Sequence, residues 1–303
     1  MRFPVCFEKV PGAARLGRLG RIIGLLTLLS VLQSCGIMKI AYNQAHELAY
    51  WQLDSYFDFD EAQSPRAREE LAKVHQWHRK TQLPVYAETL QKWQALMPGD
   101  LDEAQVCRMY TDARTKLLAI SERSESAAIS LVGTLVPDQL DHVKRKFTKL
   151  NKEYRNDFMD GTPQDLLDKR VKKAVSRAEM LYGPLEDKQL GVLRARIAQS
   201  PFNAGLSLGE HQRRQQDALQ TLTPVIAGQS TTEQAAAAVK QYFARSINSP
   251  DAAYRSYQER LTRDNCKTLA ELHNSTTPAQ RTAAVQTLQT YAKDFAALAA
   301  QRP

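Results

Sequence analysis

Along this chain apolar residues recur every three or four positions with charged residues between them, the period of a helix that buries one face. After Pro137, the residues Leu140, Val143, Phe147, Leu150 and Tyr154 alternate spacings of three and four, and after Pro163 so do Leu167, Val171, Ala174, Ala178 and Leu181. That alternation is the seam of a helix bundle. Val106, Tyr110, Ala113, Leu117, Ile120 and Ala127 fall on one side of a stretch from Leu101 to Val132, which predicts a single long helix ended by Gly133. A last helix after Pro278 carries Val285, Leu288, Ala292 and Phe295 on one face. β-Branched residues rarely alternate with polar ones, so strands are not expected. The pattern predicts an all-α fold, a multi-helix bundle or an array of antiparallel helix pairs.

Proline placement supplies the helix starts. Ser64-Pro65, Thr162-Pro163, Ser200-Pro201, Thr223-Pro224, Ser249-Pro250 and Thr277-Pro278 each put a hydroxyl where it can cap a helix, with proline at the next position, which needs no donor. Thr277 with Gln280, and Thr231 with Gln234, read as capping boxes. Breaks are expected near Asp58 to Glu61, at Leu83-Pro84, at Met97-Pro98-Gly99-Asp100 and at Gly183-Pro184. Residues 200–209 are the least regular stretch, a candidate subdivision of the domain, with the next helix expected from about Glu210.

The first residues change where this bundle is expected to work. Arg15, Arg18 and Arg21 precede an apolar run that ends at Leu32, too short to span a bilayer comfortably and flanked like a secretory signal. Leu32-Gln33-Ser34-Cys35 resembles the lipobox of bacterial lipoproteins. The resemblance implies removal of residues 1–34 as a signal peptide and acylation of Cys35, palmitate included. Residues 35–303 would then form a helical domain facing the periplasm. Gly36 in place of an aspartate points to the outer membrane. The whole chain has a formal charge of +8; five basic residues and one acidic residue leave with the signal, so the remainder is only mildly basic. Neither that charge nor an exported location implies a nucleic-acid partner. Cys107 and Cys266 remain, either as one disulfide in an oxidising compartment or as two buried thiols.

Candidate chemistry is sparse. Gly205-Leu206-Ser207-Leu208-Gly209 matches a hydrolase elbow, but no strand is expected before the serine to strain that turn. His75 and His78 lie three apart on one helical surface and could hold a metal if Asp54 or Asp58 came alongside. The alternative is a polar cluster of Asp54, Tyr56, Asp58, Trp77, His78, Arg79 and Tyr86, in which Arg79 pairs with an aspartate. Cys35, Tyr42-Asn43, Trp51, Asp54, Tyr56, Asp58, Gln63, Trp77-His78-Arg79, Leu83-Pro84 and Tyr86 resemble the pattern of an uncharacterised proteobacterial lipoprotein family, domain of unknown function 6279. The resemblance implies a shared helical architecture and no mechanism. Leu135-Val136-Pro137-Asp138-Gln139 and Leu185-Glu186-Asp187-Lys188-Gln189 are similar to the Leu-Thr-x-x-Gln motif of small periplasmic stress chaperones, or are simply helix starts with glutamine in the first turn. Two functions stay open. One is a non-enzymatic lipoprotein that binds protein or envelope polymer through a helical surface, chaperone-like and without a cofactor. The other is a metal-dependent or acid/base enzyme built around Asp54, Asp58, His75, His78 and Arg79.

Overall fold

The structure, a computed structural model, describes residues 39–301, so the export segment and Cys35 lie outside the described residues. It is all-α: eleven helices joined by short turns, with no strand among the described residues. We number them α1 (Ala45–Phe57), α2 (Gln63–Trp77), α3 (Leu83–Gln94), α4 (Glu103–Val132), α5 (Pro137–Phe158), α6 (Pro163–Tyr182), α7 (Asp187–Gln199), α8 (Ala204–Ile226), α9 (Thr232–Ile247), α10 (Ala252–Asn274) and α11 (Pro278–Ala300). The chain from His46 onward forms one compact unit, inside which the stretch 200–209 falls. No helix among the described residues is long and apolar enough to cross a membrane.

The 30-residue α4 is the axis of this unit. Its first half packs on α10, and its second half on α2, α8 and α9. Two groups of buried apolar side chains follow. One joins Met97, Leu101, Val106, Tyr182, Leu193, Leu272 and Leu288, and ties α10 and α11 to α6 and α7. The other, around Val132, Leu135, Ala235 and Val239, lies at the far end of α4 beside Tyr50, Ala67 and Leu131. Cys107 and Cys266 form a disulfide that staples α4 to α10, their Cα atoms 5.3 Å apart.

Thr162, Thr231 and Thr277 cap their helices as the sequence predicts, each accepting from the backbone N–H three residues on. Three other starts belong to neighbours. Asp60 accepts from the N–H groups of Ala62 and Gln63 at 2.8 Å, so Pro65 sits inside the first turn of α2. Asn203 caps α8, making Gly205 to Gly209 helical and correcting the expected start near Glu210. Asp251, accepting from Ala253 and Tyr254, starts α10 two residues after Ser249. In each case a carboxylate or amide oxygen accepts the N–H groups of the first turn, so the helix begins where that acceptor stands rather than at the serine before the proline.

Two prolines are absorbed rather than obeyed. Leu83-Pro84 does not break the chain: His78–Gln82 forms a π-helical turn, and the N–H of Leu83 bonds back five residues to the carbonyl of His78. The wider turn shifts the register, so the donor missing at Pro84 falls in the first turn of α3, where none is required. Pro224 lies in the last turn of α8, and the hydroxyl of Thr223 donates to the carbonyl of Leu219 at 2.7 Å instead of starting a helix.

Four buried glutamines lock distant helix starts together. Gln139 accepts from the N–H of Val136 (3.0 Å), while its amide donates to Gln63 (2.6 Å) and to the carbonyl of Asp58 (3.2 Å). Gln63 accepts from the N–H of Asp60 and donates to the carbonyl of Thr134 at 2.5 Å. The same device recurs at α7 and α11. Gln189 accepts from Glu186 and donates to the carbonyl of Ser275, and Gln280 accepts from Thr277 and donates to the carbonyl of Pro184. Gln189 and Gln280 also meet at 3.5 Å. Both chaperone-like motifs thus spend their glutamines on helix starts and on a partner glutamine. Replacing Gln139 by alanine orphans several buried groups at once, and urea unfolding is expected to show a loss of about 2–3 kcal/mol. A Gln63→Ala and Gln139→Ala double-mutant cycle with no coupling between the two would overturn this account.

Candidate functional site

The polar residues singled out in the sequence separate into two places. Asp54 accepts from the N–H of Phe59 at 2.9 Å and closes the corner after α1. Asp58, at φ 51°, is the turn residue of that corner, and its carbonyl is the one held by Gln139. Its carboxylate is 76% exposed and 3.7 Å from Nδ1 of His142, so Asp58 and Arg79 form no buried pair. Tyr56 points towards α5, edge-on to Phe147, with the Lys146 ammonium 5.2 Å from its ring centre.

The second group surrounds the π-helical turn. Trp77 meets His78 edge-on, and His78 meets Tyr86, which in turn meets Phe295 of α11. Arg79 is buried and reaches the side-chain oxygen of Gln301 at 3.5 Å. Burial pushes the His78 imidazole below its usual range and the Tyr86 phenol above its own. The Tyr86 hydroxyl is buried with no hydrogen-bond partner among the described residues. His75 stacks on His46, ring centres 5.3 Å apart, while His78 faces Tyr86. The residues proposed for a metal or acid/base site therefore do not converge, and among the described residues no three of His, Cys, Asp and Glu gather as ligands would. Ser207 closes the first turn of α8, its hydroxyl donating to the carbonyl of Asn203 at 3.0 Å.

What the sequence does not reveal is a partly open chamber of about 540 Å³ lined by α1, α2, α4, α5, α8 and α9. Tyr56 and Phe57 come from the end of α1 and Phe59 from the corner after it, Val143 and Phe147 from the α5 seam, and Tyr242 and Phe243 from α9. Ala127 and Ala128 on α4 and Ala218 on α8 supply side chains too small to close the space between helices. Its few polar groups are neutral, and Ser124 is already committed to the carbonyl of Ile120. The volume lies within the roughly 300–1,000 Å³ of small-ligand sites, although such sites normally add a few converging polar groups. The alanines were visible as helical residues, but only the packing of six helices shows that they leave a space.

Most of the chamber's lining residues, those from Tyr56 to Leu222, lie in the part of the chain that comparison with known proteins identifies. No curated protein and no solved structure matches the chain. A family model described as "Family of unknown function (DUF6279)" matches residues 55–237, more than half of the sequence, and the chain belongs to that family.

Proposed function

We propose that this protein is a periplasm-facing lipoprotein of the outer membrane, anchored through Cys35. It works by binding rather than by catalysis, and takes an aliphatic chain of an acylated envelope component into the chamber. The observation that carries this reading is the chemistry of the chamber walls: aromatic and aliphatic side chains without a charge. An extended peptide in the same place would leave its own N–H and carbonyl groups unsatisfied, each costing about 1–3 kcal/mol. A hydrocarbon chain carries no such groups, and each buried methylene contributes about 0.8 kcal/mol.

Two experiments test the two halves. Radiolabelled palmitate should appear on the wild-type chain and not on Cys35→Ser; label on neither removes the anchor. For the chamber, a fluorescent fatty acid titrated into folded Cys35→Ser protein should bind saturably at one site. Ala127→Trp or Ala218→Phe, which fill the space, should reduce affinity at least tenfold. Equal binding by the filled variants, with melting temperatures showing them folded, would rule the chamber out.

A further inference from the structure

We propose that a second cleft, walled by α4, α8 and α10, binds a phosphate-bearing anion. It has a volume of about 720 Å³ and is lined by Arg114 of α4, His211 and Arg214 of α8, and Arg255 and Arg263 of α10. Each helix contributes residues three or four apart, which places them on one face: Tyr110 with Arg114, His211 with Arg214, Arg255 with Glu259 and Arg263. Three helices thus direct guanidinium groups into one space.

The charge in that space is not balanced by the described residues. Among the described residues Arg114 and Arg263 have no carboxylate partner, and Arg255 donates to the backbone carbonyl of Ser249 at 2.6 Å. Arg214 does have a partner, Glu210, at 2.8 Å, but that single buried carboxylate also serves Arg213 at 2.8 Å. Burial pushes the Glu210 carboxyl up, yet the hydrogen bonds from Arg213, Arg214 and Ser249 outweigh it and hold the group ionised. Among the described residues Glu259 is the only acidic side chain lining the cleft. Four guanidinium groups against one carboxylate on the wall and one shared behind it leave a net positive space.

The disulfide makes the arrangement rigid. Cys107 is one turn from Tyr110 and two from Arg114, and Cys266 is one turn from Arg263. The bond therefore fixes α4 against α10 beside the two arginines that lack carboxylate partners, and their separation is set before any ligand arrives. A planar guanidinium offers paired donors that match oxyanions, and donors converging from three helices suit a tetrahedral anion with several oxygens better than one planar carboxylate. Phosphate could reach the cleft free in solution or as a lipid headgroup, and the two sources are separable by experiment.

The full chain carrying Cys35→Ser is titrated calorimetrically with inorganic pyrophosphate. Separately, it is floated with vesicles of phosphatidylglycerol or of phosphatidylcholine. Both are repeated with Arg114→Ala/Arg263→Ala, two exposed positions, and with Arg114→Lys/Arg263→Lys to keep the charge. Saturable pyrophosphate binding that weakens at least tenfold in the alanine pair and largely survives in the lysine pair supports a soluble phosphate ligand. A phosphatidylglycerol-specific gain in flotation that the alanine pair loses, without pyrophosphate binding, supports a headgroup. If the alanine pair melts like the parent and changes neither measurement, the proposal fails. The chamber is lined by none of these arginines, so failure here leaves the acyl-chain reading standing, and the reverse.

Discussion

Breaking the Cys107–Cys266 bond is expected to be one of the two most destabilising changes in this protein. The two cysteines are 159 residues apart, so the bond closes a loop spanning half the chain. In the chain-entropy model, closing so long a loop restricts the unfolded state by about 5 kcal/mol. Replacement by alanine at both positions avoids burying a hydroxyl at Cys266, which is 2% exposed. Cys107→Ala/Cys266→Ala should therefore lose about 3–5 kcal/mol and no longer respond to reductant, whereas the parent should fall to the same stability when reduced. Because the effect acts on the unfolded chain, the urea m-value should also rise, as the uncrosslinked chain exposes more surface. Unchanged m and midpoint after quantitative reduction would show that α4 and α10 hold together equally well without the bond. A fluctuating α4–α10 contact would also loosen Arg114 and Arg263, so reduction provides a second handle on the anion cleft.

The helices were legible because their signals are local. Thr162, Thr231 and Thr277 cap within three residues of themselves, and the α5 and α6 seams repeat within a turn or two. The misplacements have the same scale. Asp60, Asn203 and Asp251 stand within four residues of the serines nominated instead, and nothing in the sequence ranks one acceptor above another until the backbone direction is known. Leu83-Pro84 is a break by propensity and a continuous helix in fact, because a π-helical turn lets the Leu83 N–H bond to the His78 carbonyl and leaves Pro84 where no donor is required. Long-range features were not legible. Gln63 and Gln139 are 76 residues apart, and Gln189 and Gln280 are 91 apart, so their pairing has no signature beyond a glutamine in the first helical turn. The candidate site failed for a related reason. Asp54, Asp58, His78 and Arg79 look like one cluster in sequence, but the first two are held in the corner after α1, Asp58 beside α5, while His78 packs on Tyr86 of α3 and Arg79 reaches Gln301 after α11.

The same long-range logic gives the other large effect, at His273. This imidazole is fully buried where α6, α10 and the turn after α3 meet, with Nε2 2.8 Å from the carbonyl of Gly99 and Nδ1 3.0 Å from the Tyr182 hydroxyl. A carbonyl can only accept, so Nε2 carries the proton and Nδ1 accepts from the phenol. Both ring nitrogens are thus satisfied in the neutral form. Burial pushes the imidazole below its usual range and the Tyr182 phenol up to about 12. His273→Ala leaves a carbonyl and a hydroxyl without partners and opens a void, which together should cost about 3–5 kcal/mol, or roughly 10 °C in melting temperature. The pH dependence has a definite sign. With the folded value depressed, the unfolded chain takes up a proton that the folded chain refuses, so this stability is complete above about pH 6.5 and is lost as pH falls below it. His78 and His211 are depressed by burial as well and add to the same slope. Melting temperatures of the parent should therefore fall between pH 7.5 and pH 5, and His273→Ala should fall less steeply. A parallel fall in both would mean that the acid sensitivity resides in the other histidines and that His273 contributes packing alone.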